Sequence, residues 1–235
     1  MEAFEQILII SHVVAGFLSL VTGLIAAFFG KKGGKLHRQV GKVFYWCMFW
    51  IFISAILIIS FVRFNPFLLV IAVFSFYMAF AGVRVLTIKK TMKAARIDWA
   101  ASVITMGFGL AMVIMGLSYQ LESDWSSVYG YLCLFFGFFT AQTGWVNFKT
   151  FRNLEKAEKM WWWLAHMGSM TGSFIASITA FLVLNGRIFD LSDNIGWVPW
   201  ILPALIGVPI STYWANKYRK QFKMGKYATA KIATS

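Results

Sequence analysis

The fold of this chain is decided by residues 4–62, which read FEQILIISHVVAGFLSLVTGLIAAFFGKKGGKLHRQVGKVFYWCMFWIFISAILIISFV. Two long apolar runs flank a short segment that is rich in lysine, arginine and glycine. An apolar run of about 20 residues is long enough to cross the hydrocarbon core of a bilayer as an α-helix. The stretch therefore predicts two membrane-spanning helices that are joined by a basic loop.

The same alternation of apolar runs and short polar gaps continues along the chain and predicts an all-α, polytopic integral membrane protein with seven transmembrane helices. The predicted spans are Phe4–Phe29, Val40–Val62, Pro66–Thr87, Trp99–Tyr119, Gly130–Phe148, Trp163–Leu184 and Val198–Ala215. Hydrophobic residues make up 59% of the chain, and none of the gaps is long enough for a folded extramembrane module. We therefore expect one seven-span transmembrane domain at residues 1–218, followed by a basic cytoplasmic tail at residues 219–235.

The uneven distribution of basic residues between the gaps predicts the orientation of the protein. Of the 22 lysines and arginines, 20 lie in the first, third and fifth gaps, at the adjoining ends of spans or in the tail, and only Arg63 and Arg187 lie on the other side. By the positive-inside rule these gaps and the C-terminus are cytoplasmic, and the N-terminus is outside. With the acidic residues included, the net charge is +17 on the cytoplasmic side and −4 outside, which together give the +13 of the whole chain.

The basic excess also bears on possible partners. A nucleic-acid-binding protein would be basic too, but so apolar a chain leaves no soluble domain for that role, and we expect no nucleic-acid partner. We expect contact with membrane lipids, including anionic head groups. Cys47 and Cys133 both lie inside predicted spans, so the sequence contains no disulfide framework and no cysteine metal motif. The sequence leaves the oligomeric state open.

Candidate functional residues cluster near the predicted cytoplasmic ends of the spans. His166 follows the interfacial Trp163 by three residues, which places it roughly one helical turn below the inner surface. Ionisable residues inside spans are functional candidates, because an unpaired charge is costly in hydrocarbon. Five further polar residues lie at the same ends of neighbouring spans, and with His166 we expect them to converge on one cytoplasm-facing pocket. They are His37, Arg38, Arg84, Asp98 and Asn147.

This set of side chains suits three kinds of ligand. Two imidazoles and a carboxylate, from His37, His166 and Asp98, suit a divalent metal such as zinc or iron. The same two histidines could ligate haem b axially, with Arg38 and Arg84 near the propionates. An arginine and a histidine could instead hold an anionic or quinone-like ligand, with His166 or Asp98 passing protons. A structural alternative is that Arg84 and Asp98 only pair with each other across the interface.

Two further features lie away from this pocket. His12 is near the outer surface, and by helix rise it is too far from His166 to share one metal ion. The seventh span contains Pro199, Pro203 and Pro209. Pro203 and Pro209 each remove a backbone hydrogen bond, so we expect a kinked or locally opened helix there. A path along His12, His166 and this helix would suit a transporter, whereas a bent packing helix would be purely structural.

Several short motifs carry a resemblance to a known group of proteins. They are His12-x-x-x-Gly16, Lys32-Gly33-Gly34, Leu36-His37-Arg38-x-x-Gly41-x-x-Phe44-Tyr45, Ala165-His166-Met167-x-x-Met170 and Trp200-x-x-Pro203. With these motifs the chain resembles an uncharacterised family of predicted bacterial multi-span membrane proteins of unknown function. The resemblance implies a multi-pass protein of the bacterial inner membrane and brings no activity with it. The segment LHRQVGKVFYW also resembles the His-Arg-x-x-Gly helix starts of membrane b-type cytochromes.

The sequence thus leads to three functional hypotheses. The first is a haem- or metal-binding redox protein whose His/Asp/Arg pocket faces the cytoplasm. The second is a transporter or channel for a small solute or protons, and the third is a non-catalytic membrane subunit. Three histidines are too few for the four axial ligands of a two-haem cytochrome. Whether the protein is an enzyme, and on which substrate, stays open at this stage.

Overall fold

The computed structural model describes residues 2–62, 64–185 and 196–224, and within these ranges the chain consists of helices and their connecting loops. The seven α-helices are α1 (Glu2–Phe28), α2 (Lys35–Phe61), α3 (Pro66–Thr91), α4 (Arg96–Glu122), α5 (Val128–Arg152), α6 (Trp161–Leu184) and α7 (Val198–Gln221). A short 3-10 turn, Leu154–Lys156, lies between α5 and α6. The predicted all-α class is therefore confirmed, and each predicted span coincides with one of these helices.

Six of the helices, all except α5, are long and apolar enough to cross a membrane. Their outer surfaces agree with this, because large apolar side chains such as Phe17, Ile114 and Leu205 are more than half exposed. Apolar surface of this extent is unusual on a soluble monomer and marks contact with lipid or protein. The structure is thus consistent with a polytopic membrane protein, while the count of seven spans stays a prediction.

Neighbouring helices run antiparallel, as contacts between their ends show. Phe28 at the end of α1 lies 5.4 Å from Trp214 near the end of α7, measured between ring centroids. At the opposite end, Phe67 at the start of α3 lies 5.0 Å from Trp200 at the start of α7. The C-terminal ends of α1, α3, α5 and α7 therefore share one end of the bundle with the N-terminal ends of α2, α4 and α6. We call this the basic end, because every lysine and arginine that the structure describes lies toward it.

Some of the predicted charge pattern lies outside the described residues. Arg63, Arg187, Asp190 and Asp193 belong to that part of the chain, as do residues 225–235 of the predicted tail. Glu122 and Asp124, which are described, lie at the end opposite the basic end. The charge asymmetry of the described residues therefore has the sense that the sequence predicts, whereas the orientation in a membrane stays a prediction.

The closest helix pair is α4 with α5, and glycines make that approach possible. A Cβ atom on Gly137 would lie 2.8 Å from the backbone nitrogen of Val113, and one on Gly144 would lie 2.7 Å from the carbonyl oxygen of Ser102. A Cβ on Gly109 would collide with the backbone of Ala141. Small residues at such crossings let two backbones pack directly, which is how helices associate where apolar burial gives no advantage over lipid.

The proline-containing helix α7 is helical throughout Val198–Gln221, so the local opening expected at Pro203 and Pro209 is not observed. Pro203 is buried, and Trp200 one turn earlier packs against Phe67 and Phe136. These tertiary contacts account for the retained helix at Pro203, because burial of the surrounding aromatic surface can offset the loss of one backbone hydrogen bond.

Candidate functional site

Two histidines meet near the basic end, between α2 and α6. The ring centroids of His37 and His166 are 6.3 Å apart, and the ring planes make an angle of 75°. The Nδ1 atom of His37 lies 3.1 Å from the carbonyl oxygen of Ala26, and that of His166 lies 2.7 Å from the carbonyl oxygen of Gly82. Because a carbonyl only accepts, Nδ1 is the protonated nitrogen of each ring. In the neutral rings Nε2 therefore carries a free lone pair.

The loop between α1 and α2 positions His37. Gly33 has a φ of +76°, a conformation that favours glycine, and Gly34 begins the next helix as its N-cap. The chain therefore reverses at once, and His37 in the first turn of α2 reaches Ala26 in the last turn of α1. Lys32 donates a second hydrogen bond to the same carbonyl, at 2.9 Å. Both side chains satisfy carbonyl groups that the end of α1 leaves without a helical partner.

The contact between α3 and α6 positions His166. Gly82 of α3 lacks a side chain, and a Cβ there would lie 2.8 Å from the sulfur of Met170 and 3.2 Å from the Cβ of Ser169. A larger residue at position 82 would force α6 away from α3. The glycine therefore lets the imidazole of His166 reach the backbone of α3 directly.

Positive charge surrounds this histidine pair. Lys32 acts electrostatically on His37, and Lys89 acts on His166. The ammonium of Lys89 stacks on the ring of Trp162, with its nitrogen 3.3 Å from the ring centroid. Partial burial lowers the pKa of the loop residue Lys32. Arg38, which the sequence places beside the pair, is exposed.

A second polar group joins α3 to the start of α4. Arg84 donates two hydrogen bonds to Asp98, from Nε to Oδ1 at 2.6 Å and from Nη2 to Oδ2 at 2.8 Å. The backbone N–H of Ala95 also donates to Oδ2, at 2.8 Å. Asp98 is only 1% exposed, whereas the side chain of Arg84 is 27% exposed. A carboxylate in the first turn of a helix is further stabilised by the helix dipole, so this pair has a clear structural role.

A chain of hydrogen bonds continues from Asp98 through Ser102 and Tyr77 to Asn147. The Nδ2 of Asn147 donates to the hydroxyl of Tyr77 at 2.9 Å, and that hydroxyl lies 2.8 Å from Oγ of Ser102. Ser102 in turn donates to the backbone carbonyl of Asp98 at 3.0 Å. Since the proton of Ser102 is used there, Tyr77 is the donor in the contact between the two hydroxyls. The chain links α5, α3 and α4.

A cavity of about 250 Å³ lies beside this chain, between α3, α5 and α6. Arg84, Asp98 and Asn147 line it, together with Tyr77, whereas His37 and His166 do not. The six residues predicted to share one pocket are therefore not brought together in one place. His37 and His166 form a pair on one side of α3 and α6, Arg84, Asp98 and Asn147 border the cavity, and Arg38 points outward.

His12 lies in the half of the bundle away from the basic end, as the sequence predicts. Its Nδ1 is 2.8 Å from Oγ of Ser54, and Ser54 donates its own proton to the carbonyl of Trp50 at 2.6 Å. The indole of Trp50 donates to Oγ of Ser11 at 3.2 Å. His12 therefore links the first half of α1 to the second half of α2 through Nδ1. This arrangement is sufficient to explain a partly buried polar residue at that position.

The described residues contain no group of three or more His, Cys, Asp and Glu side chains close enough together to hold a metal ion. Asp98, which the sequence placed with His37 and His166 as a metal ligand, instead accepts hydrogen bonds from Arg84 and from the backbone of Ala95. Sequence reasoning also missed Tyr77 and Ser102. Their signal was present, since Tyr77 precedes Arg84 by two helical turns and Ser102 follows Asp98 by one turn.

Comparison of this chain with protein-family models, with curated proteins and with solved structures gives no match.

Proposed function

We propose that this chain is an inner-membrane protein that binds a redox-active metal centre, haem b or a divalent ion, between His37 and His166. The observation that carries the proposal is the proximity of the two imidazoles, whose ring centroids are 6.3 Å apart. Each ring donates its Nδ1–H to a backbone carbonyl and keeps the Nε2 lone pair available. Histidines that ligate metals in proteins commonly fix their second ring nitrogen in this way.

The separation of the rings fits two ligands of one metal. Imidazoles that bind a metal through Nε2 at about 2.0–2.1 Å have ring centroids roughly 5 to 6.5 Å apart, depending on the angle at the metal. The observed centroid separation of 6.3 Å lies within this range, so His37 and His166 would be able to hold one metal ion or the iron of haem b.

The electrostatic surroundings favour an anionic cofactor. Lys32 and Lys89 act on the pair, and both lie at the basic end. The propionates of haem b would pair with these two lysines, so the ion pair between Arg84 and Asp98 would stay intact. The lysines would thus take the role near the propionates that the sequence predicted for the arginines. When bound, such a centre supplies one-electron chemistry, and the histidines hold and orient it.

The proposal includes an orientation and a location. Placing the basic end on the cytoplasmic side follows the positive-inside rule, and the N-terminus is then outside. The proposal also includes α5 as the seventh span, because α5 packs along α4 from end to end and α4 is itself long and apolar enough to cross a membrane. The bacterial inner membrane as the location rests on the motif resemblance. The metal centre would then face the cytoplasmic surface, within the reach of soluble electron donors.

The test is retention of the metal centre after mild purification in lipid nanodiscs. We expect the wild type to carry about one haem or one metal ion per chain, measured by absorption spectrum and elemental analysis. His37→Ala and His166→Ala should each lose it, because one imidazole alone binds weakly. His12→Ala is the matched control and should retain it, since His12 lies in the half of the bundle away from the basic end. Equal retention in all three variants would overturn the proposal.

A further inference from the structure

The cavity between α3, α5 and α6 is separate from the histidine pair and contains polar groups of its own. Its α6 wall is formed by Trp161, Leu164, Ala165, Gly168 and Ser169, which share one face of that helix. His166 belongs to a different face and contacts Gly82. Any ligand of the cavity therefore differs from a ligand of the two histidines.

Two polar side chains on the cavity wall, those of Gln142 and Ser169, make no hydrogen bond within the described structure. Gln142 lies in the middle of α5, is exposed and lines the cavity. An amide without a partner is costly in hydrocarbon, because no water is present to replace the missing hydrogen bonds. Arg84 also has spare donors, since Asp98 engages only two of the five N–H groups of its guanidinium. The cavity thus offers donors that a bound acceptor would satisfy.

The cavity is closed toward the basic end and accessible from the side. Leu154 and Trp161 pack there with Val85 and Ile88 of α3 to form a buried apolar cluster. Next to this cluster α5 and α6 are barely in contact with each other, although α5 packs tightly on α4 and α6 on α3. A molecule dissolved in the bilayer could therefore enter between α5 and α6 without crossing water.

From this geometry we propose that the cavity binds the head group of a membrane-dissolved quinone or quinol. The ring oxygens accept hydrogen bonds from Arg84 and Gln142, and the hydrocarbon tail leaves between α5 and α6 into the lipid. This proposal does not rest on the metal centre at His37 and His166.

Charge and size select this ligand over other membrane components. The positive charge of Arg84 is balanced by Asp98, whose carboxylate oxygens are both engaged, so the pair has no net charge to attract an anionic lipid. The volume of about 250 Å³ is below the range of roughly 300–1,000 Å³ typical of sites for drug-sized molecules. It holds a single substituted ring, and a porphyrin or a phospholipid head group with its glycerol is too large.

Gly168 provides the test, because it lines the cavity and a Cβ atom there would meet nothing within 4 Å. Gly168→Phe should fill the cavity without disturbing the helix contacts. The matched control is Gly107→Phe, at an exposed position of α4 where a Cβ is equally unhindered. The probe is decylubiquinone, titrated into protein in phosphatidylcholine nanodiscs and followed by quenching of tryptophan fluorescence. Empty nanodiscs measure simple partitioning.

We expect saturable binding to the wild type and to Gly107→Phe, and at least a tenfold loss of affinity in Gly168→Phe. Gln142→Leu, which should assemble normally, tests a single donor and should weaken binding about 2- to 10-fold. An azido-quinone should label residues of α3, α5 and α6.

Binding that never saturates, or equal affinity in Gly168→Phe and the control, would overturn the proposal. Competition by phosphatidylglycerol at constant total lipid would overturn it too, because the site would then take an anionic lipid. Retention of the metal centre in Gly168→Phe is measured separately, so the two proposals can fail independently.

Discussion

Removal of the Asp98 carboxylate should destabilise the contact between α3 and α4. The carboxylate accepts hydrogen bonds from Arg84 at 2.6 and 2.8 Å and from the backbone of Ala95 at 2.8 Å, and it is 1% exposed. Asp98→Ala would leave a guanidinium and a backbone N–H without their acceptor. The guanidinium lies partly buried between α3 and α4, so solvent can replace the carboxylate there only in part. Ala95 is an exposed residue of the loop before α4, and water can reach its N–H.

The magnitude follows from the burial of the two partners. Breaking a fully buried ion pair from one side costs about 3–5 kcal/mol. The guanidinium of Arg84 is 27% exposed and can recover part of its hydration, which reduces the loss. We therefore expect Asp98→Ala to lower the free energy of unfolding by about 2–3 kcal/mol. In the double variant Arg84→Met with Asp98→Leu no charge remains unpaired, and we expect a loss of less than about 1.5 kcal/mol.

The assay is reversible unfolding in mixed micelles with increasing SDS, followed by circular dichroism. Glu122→Ala is the matched control, because Glu122 is an exposed acid at the other end of the same helix and should change stability by no more than about 0.5 kcal/mol. A double-mutant cycle of Asp98→Leu, Arg84→Met and the double variant gives the coupling energy of the pair. A coupling below about 0.5 kcal/mol would refute the reasoning, as would an Asp98→Ala variant as stable as the wild type.

Three other predictions concern topology, packing and the proline helix. Reporter fusions at Lys93 should read cytoplasmic and fusions at Asp124 external, and the opposite signals would reverse the orientation. Gly109→Leu should separate α4 from α5, because a side chain there collides with the backbone of Ala141. The yield of folded protein, measured by size-exclusion chromatography, should therefore fall, and an unchanged elution profile and yield would contradict this packing. Pro203→Ala should leave the assembled protein and its metal content unchanged, since α7 is already helical at Pro203. Loss of function in that variant, together with water-accessible cysteines along residues 204–211, would favour a transporter.

The helices were predictable from sequence because apolar length alone determines them in a membrane protein. The runs around Phe17 and Ile114 could be recognised without knowing any neighbour, since each satisfies its backbone hydrogen bonds internally. The depth of His37, His166 and His12 along their helices was predictable for the same reason, because helix rise fixes position along the axis.

The direction in which each candidate residue points was not predictable from depth. Successive residues of a helix differ by about 100° around its axis, so Arg38 faces outward although His37 beside it faces α6. By the same rotation Ala165 lines the cavity while His166 contacts α3. Which face of each helix meets a neighbour is decided by packing of the whole bundle, for example by the glycine at position 82, and one sequence does not contain that information directly.

The most direct test of the account is X-ray absorption spectroscopy at the edge of the metal that the purified protein retains. The account predicts imidazole nitrogen scattering from two ligands at about 2.0–2.1 Å in the wild type. This signal should be unchanged in His12→Ala and lost together with the metal in His37→Ala and His166→Ala. A protein that holds no metal after purification and reconstitution, or a metal with no imidazole ligand, would contradict the account.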